Sequence, residues 1–243
     1  MHLTTLNPDL RRNLRDLVQG YVEHCEFSPH LTARIDFPLY YMGFKYGAPV
    51  FTHRGPGHPA EDRPVIGMIG WNTPGSRLPA QVLLEFIEVL TQHPRLAHHS
   101  VLRMLPVANP VALELDEDAP GREDWDLLAN LADQFKEQAA DGWIEIQAAD
   151  VEDFTLTGEI SPELYKALVK SKAVASFRER LGVRFPQAAS LKPVRRDERW
   201  QVQLLIPRTW DDSRSVRAVA RFLARLIHAQ ARIARRQAKT SRR

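Results

Sequence analysis

Residues 64–90 read PVIGMIGWNTPGSRLPAQVLLEFIEVL, and this stretch decides the fold class. Its first part, residues 64–70, is a short apolar run of the buried-strand type. The turn residues WNTPGS follow, and over residues 79–90 apolar side chains recur at the spacing of an amphipathic helix. A buried strand followed by a helix is the repeating unit of α/β proteins.

The same unit recurs along the rest of the chain. Further strands are predicted over residues 101–107, 143–148 and 200–206. Helices are predicted over residues 8–24, 125–135, 164–177 and from 213 onward, the last capped by Asp212 or Ser213. Two aromatic-rich segments, 37–44 and 46–52, predict a hairpin, and residues 53–63 a polar loop. We therefore expect one α/β domain over residues 1–243, a three-layer sandwich with a mixed, mostly parallel central sheet and helices on both faces.

The composition is that of an ordinary globular protein. The 243 residues are 44% apolar and 26% charged, and no apolar run is long enough to span a membrane. The first residues contain no apolar stretch of signal-peptide type. The lone cysteine, Cys25, excludes an internal disulfide framework and suits a reducing compartment. These features predict a soluble, cytoplasmic protein.

The charge is distributed unevenly along the chain. Residues 213–243, a predicted basic C-terminal helix and tail, contain ten Lys and Arg and no Asp or Glu, which leaves 23 basic against 30 acidic residues elsewhere. One interpretation is an arm that binds nucleic acid or an acidic partner. The other is the solvent face of a helix, whose C-terminal dipole favours basic residues. Because no aromatic residue follows Phe222 to stack on bases, we favour the second and expect neither nucleic acid nor a membrane as a partner.

Five segments carry a resemblance to a known family. In open α/β sheets, reactive groups gather at the C-terminal ends of strands. There the chain has residues 64–90, then LPVANP (105–110), DWDLLANL (124–131), GWIEIQAAD (142–150) and WQVQLLIP (200–207). By order and spacing, roughly residues 64–226 resemble the zinc carboxypeptidase superfamily, and within it the succinylglutamate desuccinylase and aspartoacylase-like deacylases. The resemblance implies a zinc-exopeptidase-like fold and a zinc-dependent hydrolase of amide bonds.

The positions at which this resemblance implies zinc ligands carry other residues. A histidine is implied where the chain has Gly70, a glutamate where it has Thr73, and a second histidine where it has Gln147. Zinc is held by imidazole, thiolate or carboxylate groups. Glycine has no side chain, and a hydroxyl and a neutral amide are poor substitutes. The sequence therefore predicts no zinc and no other cofactor at this site.

Two further functional positions are also altered. The resemblance implies an arginine that binds the substrate carboxylate where the chain has Ala129, and a general-base glutamate where it has Leu205. A shift of two residues would place Gln203 at the second position, and neither side chain can accept a proton from water near neutral pH. We therefore expect no catalytic residue here and a non-catalytic relative of these hydrolases, a pseudoenzyme that serves as a binding or assembly module.

A pocket is still expected at this edge of the sheet, for a small molecule, peptide or protein. The tryptophans near the strand ends either line this pocket or fill it. The candidate pocket residues are Trp71, Asn72, Asn109, Trp125, Glu145 and Gln203.

Other hypotheses remain open. His58 and Glu61, with His53, could form a displaced zinc site and make the chain an active zinc-dependent peptidase or N-acyl-amino-acid hydrolase. These residues precede the strand at 64, which places them at the wrong end of the sheet. His98 and His99 are adjacent, so we expect their rings to point apart and to form no two-ligand site. Nucleic-acid or acidic-partner binding through the basic tail is the third hypothesis.

Overall fold

The computed structural model describes residues 19–41, 44–56, 63–71, 76–108, 132–169, 191–194, 199–210 and 212–241. Its strands are β1 (Leu31–Tyr41), β2 (Phe44–Arg54), β3 (Val65–Trp71), β4 (Val101–Leu105), β5 (Gly142–Ala149), β6 (Thr155–Ile160), β7 (Leu191–Pro193) and β8 (Trp200–Pro207). The helices are α1 (19–27), α2 (Leu78–Gln92), α3 (132–137), α4 (Pro162–Val169) and α5 (Ser213–Ser241), with a 3₁₀ turn at Pro94–Ala97.

All the described strands join one sheet in the order β1-β2-β4-β3-β5-β8-β6-β7. The four central strands, β4, β3, β5 and β8, run parallel to one another. On one side β2 pairs antiparallel with β4, and on the other β6 pairs antiparallel with β8. The predicted α/β fold with a mixed central sheet is therefore confirmed, and the C-terminal ends of four parallel strands meet at one edge.

A hairpin forms as predicted, but its strands have other bounds: β1 ends at Tyr41 and β2 begins at Phe44, whereas the sequence predicted strands over 37–44 and 46–52. β1 and β2 pair antiparallel from Leu31 opposite His53 to Tyr41 opposite Phe44. Their register shifts between Asp36 and Pro38, as in a β-bulge. β1 lies at the edge of the sheet, since it pairs with β2 alone among the described strands.

The larger core lies between one face of the sheet and the helices α2 and α5. The inward stripe predicted for α5 is buried there, and so are Ile144 and Ile146 of β5. Asp212 directly precedes α5, and its carboxylate accepts hydrogen bonds from the backbone N–H groups of Arg214 (2.8 Å) and Ser215 (3.0 Å). Asp212 is therefore the N-cap, one of the two residues that the sequence predicts.

A smaller core covers the opposite face of the sheet. Ile69 of β3 and Leu105 of β4 pack there against Ala132 and Phe135 of α3. We call this side of the sheet the α3 face and the other side the α2 face. Helices therefore lie on both faces, and the sheet edge at the strand ends is framed by both layers.

The structure differs from the sequence-based expectations at several points. Strands β6 and β7 were not predicted, and the strand predicted over 101–107 ends at Leu105 because Pro106 has no N–H for the ladder. His53 was predicted to begin a loop, but it lies within β2. In the described residues, no helix has the length and hydrophobicity needed to cross a membrane.

Candidate functional site

The C-terminal ends of β3, β5 and β8 bring several of the predicted site residues together. Trp71 lies opposite Gln147, and Gln147 lies opposite Leu205. Residues in register on neighbouring strands share a face of the sheet. Because Trp71 packs against the core of the α3 face, Gln147 and Leu205 point to that face as well.

Gly70 points to the opposite face. A Cβ atom at this position would lie 2.2 Å from the carbonyl oxygen of Pro106 and 3.4 Å from Cδ1 of Leu83 in α2. The backbone is held there because the N–H of Ala108 donates to the carbonyl of Gly70, at 3.0 Å. Position 70 therefore leaves no room for a side chain, and it does not face Gln147.

Two glutamines form the polar part of the α3 face at this edge. Nε2 of Gln203 donates to Oε1 of Gln147 at 3.4 Å, between neighbouring strands. Each amide keeps further capacity, since Nε2 of Gln147 can donate and Oε1 of Gln203 can accept. Nε1 of Trp71 is buried and has no hydrogen-bond partner. This group of neutral side chains can recognise a polar ligand through hydrogen bonds, and it has no group that titrates near neutral pH.

Glu145 lies one residue pair further into the sheet, opposite Gln203. Its Oε1 is 2.6 Å from Nζ of Lys136 on α3, and both side chains are largely buried. The same ammonium lies 5.8 Å from the ring centroid of Trp143. The carboxylate is therefore neutralised by a cation that ties α3 to the sheet.

Lys136 was not among the residues singled out from the sequence. The available signal was its position four residues after Ala132, which places both on one side of a helix. A lysine beside an apolar stripe is normally assigned to solvent, so the ion pair became visible only with the register of β5.

The remaining predicted positions lie outside the described residues. These are Asn72, Thr73, Asn109, Trp125 and Ala129, and for the displaced site His58 and Glu61. Within the part of the chain that the structure describes, no three His, Cys, Asp or Glu residues cluster so as to hold a metal ion. Of the three implied zinc-ligand positions, the structure describes Gly70, which has no side chain, and Gln147, which offers a neutral amide, and neither fits zinc. Leu205, at the position implied for the general base, has an alkyl side chain.

His53 belongs to the same sheet, but it lies on the other face, against the larger core. It is opposite Leu102, whose side chain is in the core of the α2 face, and it is 1% exposed. Neither ring nitrogen has a hydrogen-bond partner. Burial, with a smaller contribution from His30, lowers the pKa of His53 to about 4. At neutral pH it is therefore an uncharged residue of the core, on the opposite face from Gln147.

The other candidates in the sequence form no reactive site either. The rings of His98 and His99 lie 3.9 Å apart, and His99 has a φ of 62°, so the expectation that they point apart is wrong. The left-handed backbone at His99 turns one ring back toward the other. The Cys25 thiol donates to the carbonyl of Tyr21 at 3.5 Å, and burial raises its pKa, which keeps it protonated.

A pocket of about 390 Å³ lies on the α2 face, away from the strand ends. It is formed by α1, α2 and the start of α5, with Phe27 (76% exposed) and the carboxylates of Glu23, Glu85 and Glu88 on its wall. Burial, followed by repulsion from Glu88, raises the pKa of Glu85. None of the residues that the sequence analysis placed at the site lines this pocket.

Comparisons with known proteins bear on the fold. No family model matches the sequence, and no curated protein sequence matches it. Among solved structures, a metallo-carboxypeptidase from Burkholderia cenocepacia is similar over 89% of this chain and 68% of its own, with a TM-score of 0.61 and 11% identity. A metallo-carboxypeptidase from Pseudomonas aeruginosa, in complex with (2-guanidinoethylmercapto)succinic acid, covers the same shares with a TM-score of 0.57 and 13% identity.

The second branch of the predicted superfamily is represented as well. An aspartoacylase family protein from Mesorhizobium loti is similar over 84% of this chain and 68% of its own, with a TM-score of 0.53 and 12% identity. Identities this low establish the fold and leave the activity open. The chain therefore has the α/β fold shared by metallo-carboxypeptidases and aspartoacylase family proteins, as its sequence resemblance predicts.

Proposed function

We propose that the chain is a cytoplasmic, single-domain, non-catalytic relative of the zinc-dependent carboxypeptidases and deacylases. In this proposal it binds no zinc, hydrolyses no amide bond and uses the edge formed by β3, β5 and β8 to bind a ligand or a partner. The fold of the neighbours supports the relationship. The proposal that activity has been lost rests on the residues at the site.

The observation that carries the proposal is the environment of Gly70. The family resemblance implies an imidazole at this position, but a Cβ atom there would lie 2.2 Å from the carbonyl oxygen of Pro106. A contact this short is incompatible with any side chain unless the backbone moves. Gly70 and Gln147 also face opposite sides of the sheet, so these two positions do not converge on one ion. Both observations support the proposal that the chain binds no zinc there.

The remaining polar groups favour an uncharged ligand. Gln147 and Gln203 offer an amide donor and an amide acceptor side by side. The nearest carboxylate, on Glu145, is already paired with Lys136. An amide group, as in a peptide or an N-acyl amino acid, presents the matching acceptor and donor. The Pseudomonas aeruginosa neighbour was solved with a succinic acid derivative, and an acidic ligand of that kind fits these neutral side chains less well.

The first test measures metal and turnover together. The protein is purified without added zinc, its metal content is measured by mass spectrometry, and it is incubated with a panel of N-acyl amino acids and short peptides. We expect less than stoichiometric zinc and no hydrolysis above the rate without protein. Stoichiometric, tightly bound zinc accompanied by turnover would reject the proposal and favour the alternative of an active hydrolase with displaced ligands.

The second test asks whether the strand ends bind an amide. Binding of N-acetyl amino acid amides is measured by calorimetry for the native chain, for Gln203→Ala and for Gln201→Ala. Both glutamines lie on β8 and point to the α3 face, but Gln201 is near the start of the strand and exposed. We expect Gln203→Ala to weaken binding about tenfold, as for the loss of one hydrogen bond to a ligand, and Gln201→Ala to leave it unchanged. Equal effects of the two variants would place the ligand elsewhere.

A further inference from the structure

The outward face of α5 carries a line of arginines that the proposed function does not use. The helix is continuous from Ser213 to Ser241. At 3.6 residues per turn, the exposed arginines from Arg217 onward fall within an arc of about 100° and extend over about 28 Å at 1.5 Å per residue. We call this the arginine face; it consists of Arg217, Arg221, Arg225, Arg232, Arg235 and Arg236, all exposed.

The opposite side of α5 is fixed in the fold, which keeps the arginine face outward. Val219, Phe222 and Leu226 are buried against the rest of the α2-face core. The helix α5 contacts α2, α4 and the 3₁₀ turn, and its residues packed on the core run from Val216 to Ile233. The arginines up to Arg232 therefore lie on a helix that the core holds in place, and Arg235 and Arg236 lie within the next turn of the same helix.

Part of this positive charge has partners within the protein, since Arg217, Arg225 and Arg236 make contacts of their own. Residues 213–243 contain no Asp or Glu. The positive charges of Arg217 and Arg221 on α5 interact with the carboxylate of Glu85 on α2. They oppose the rise in the pKa of Glu85 that burial and Glu88 cause. Neither Arg232 nor Arg235 makes an ion pair within the described residues. Arg232 and Arg235 are therefore the arginines of this face whose charge is not taken up by an ion pair within the described residues.

We propose that the arginine face binds the phosphate backbone of double-stranded nucleic acid without regard to sequence. Guanidinium groups match phosphate oxygens in a bidentate geometry. A line of about 28 Å is close to the length of one turn of a B-form duplex, about 34 Å. With no aromatic residue after Phe222, α5 has no platform on which unpaired bases could stack, so a duplex fits better than a single strand.

An anionic membrane fits this face less well. Basic amphipathic helices bind lipid by burying an apolar face in it, and the apolar face of α5 is buried in the protein core. Among the described residues, the exposed large apolar side chains are Val22 and Phe27 of α1. Phe27 shares its pocket with Glu23, Glu85 and Glu88, which would repel anionic headgroups.

This proposal replaces the expectation that the chain has no nucleic-acid partner. From the sequence, the basic residues were interpreted as the solvent face of a C-terminal helix with a frayed end. The helix α5 is continuous to Ser241, so the charges share one side as far as that residue. The rest of the chain, with 23 basic against 30 acidic residues, would repel phosphate, so contact is restricted to this helix.

The test uses the full chain and a labelled DNA duplex of mixed sequence, about 30 base pairs long. Anisotropy titrations between about 50 and 200 mM NaCl give the affinity and its salt dependence. The charge variant is Arg232→Gln with Arg235→Gln, and the matched control is Arg34→Gln with Arg54→Gln, two exposed arginines of β1 and β2. Glutamine keeps the helix propensity, and circular dichroism confirms that both variants fold.

We expect the native chain to bind with a slope of log K against log salt of about −5 if all six arginines contact phosphate. The charge variant should bind about tenfold more weakly at the lowest salt, with a slope shallower by about 2, while the control matches the native chain. Absence of binding at about 50 mM NaCl, or equal losses in both variants, would overturn the proposal. Vesicles containing phosphatidylserine and sedimentation of the protein alone are measured in parallel. Arginine-dependent binding to vesicles, or arginine-dependent self-association without binding to DNA, would likewise overturn it.

Discussion

Replacing Gly70 with alanine adds one methyl group where β3 passes closest to the chain after β4. The new Cβ would lie 2.2 Å from the carbonyl oxygen of Pro106 and 3.0 Å from its carbonyl carbon. Both are backbone atoms, which cannot rotate away as a side chain can. The variant must therefore move the backbone at the end of β3 or the segment after β4.

The size of the effect follows from what that movement disrupts. Inserting a methyl group into a packed site costs about 1–3 kcal/mol through strain. The hydrogen bond from Ala108 N–H to the Gly70 carbonyl, at 3.0 Å, would be lost or lengthened, and this adds about 1 kcal/mol. We expect Gly70→Ala to lower the free energy of unfolding by about 3 kcal/mol and the Tm by about 10 °C for a chain of this length.

Urea denaturation followed by circular dichroism measures this free energy directly. Gly20→Ala is the matched control, since a Cβ there meets Cδ2 of Leu84 at 3.2 Å, the flexible end of a side chain. Gly20 lies within α1, where alanine is the better helix former, so this control should be neutral or slightly stabilising. If Gly70→Ala unfolds within about 0.5 kcal/mol of the native chain, position 70 can hold a side chain, and the main support for an abolished zinc site is lost.

Three further predictions concern stability. The native chain should lose stability as the pH falls from about 6.5 to 4, because His53 takes up a proton in the unfolded chain but has a pKa of about 4 in the folded one. In His53→Leu this loss should be smaller by about 3 kcal/mol. Urea melts across this pH range test it. Tyr21→Phe removes the hydrogen bond from the buried hydroxyl to the carbonyl of Ala80, and its unfolding free energy should fall by about 1 kcal/mol. Lys136→Met leaves the carboxylate of Glu145 without its cation, and a double-mutant cycle with Glu145→Gln should give a coupling of about 1 kcal/mol.

Each of these has a result that would contradict it. For His53, identical pH profiles in the native chain and His53→Leu would mean that the imidazole is protonated in the folded state. For Tyr21, an unchanged melting curve would mean that the hydroxyl has no partner. For Lys136, the control is Asp133→Ala, because Asp133 is 70% exposed and lies 3.6 Å from the same ammonium. Equal coupling energies of Lys136 with Asp133 and with Glu145 would mean that burial does not strengthen the ion pair between Lys136 and Glu145.

Much of the fold could be predicted because its central elements have a strong pattern. The apolar run of β3 and the inward stripes of α2 and α5 are long enough to be unambiguous, and Asp212 marks the start of α5. Strand β6 was missed for a physical reason. Its sequence TLTGEI has strand-favouring Thr and Ile residues, but Gly158, with a φ of +126°, and Glu159 interrupt them, and its pairing with β8 stabilises it.

The sequence predicted which strand ends carry the site residues, but not which face of the sheet each side chain occupies. The order of the segments placed Gln147 and Leu205 at neighbouring strand ends, and the register has them directly opposite each other. Whether a residue faces α2 or α3 depends on register, because a shift of one residue reverses the face. For this reason the sequence did not reveal that Gly70 points away from Gln147, or that Lys136 neutralises Glu145.

The bulge in β1 affects how the chain meets its neighbours at high concentration. An edge strand offers a free row of N–H and C=O groups on which another chain can add a strand. Here the shift between Asp36 and Pro38 interrupts that row, and the proline contributes no N–H. An incoming strand would find two short stretches in place of one continuous template, so this long hairpin can remain at the border of the sheet without seeding fibrils.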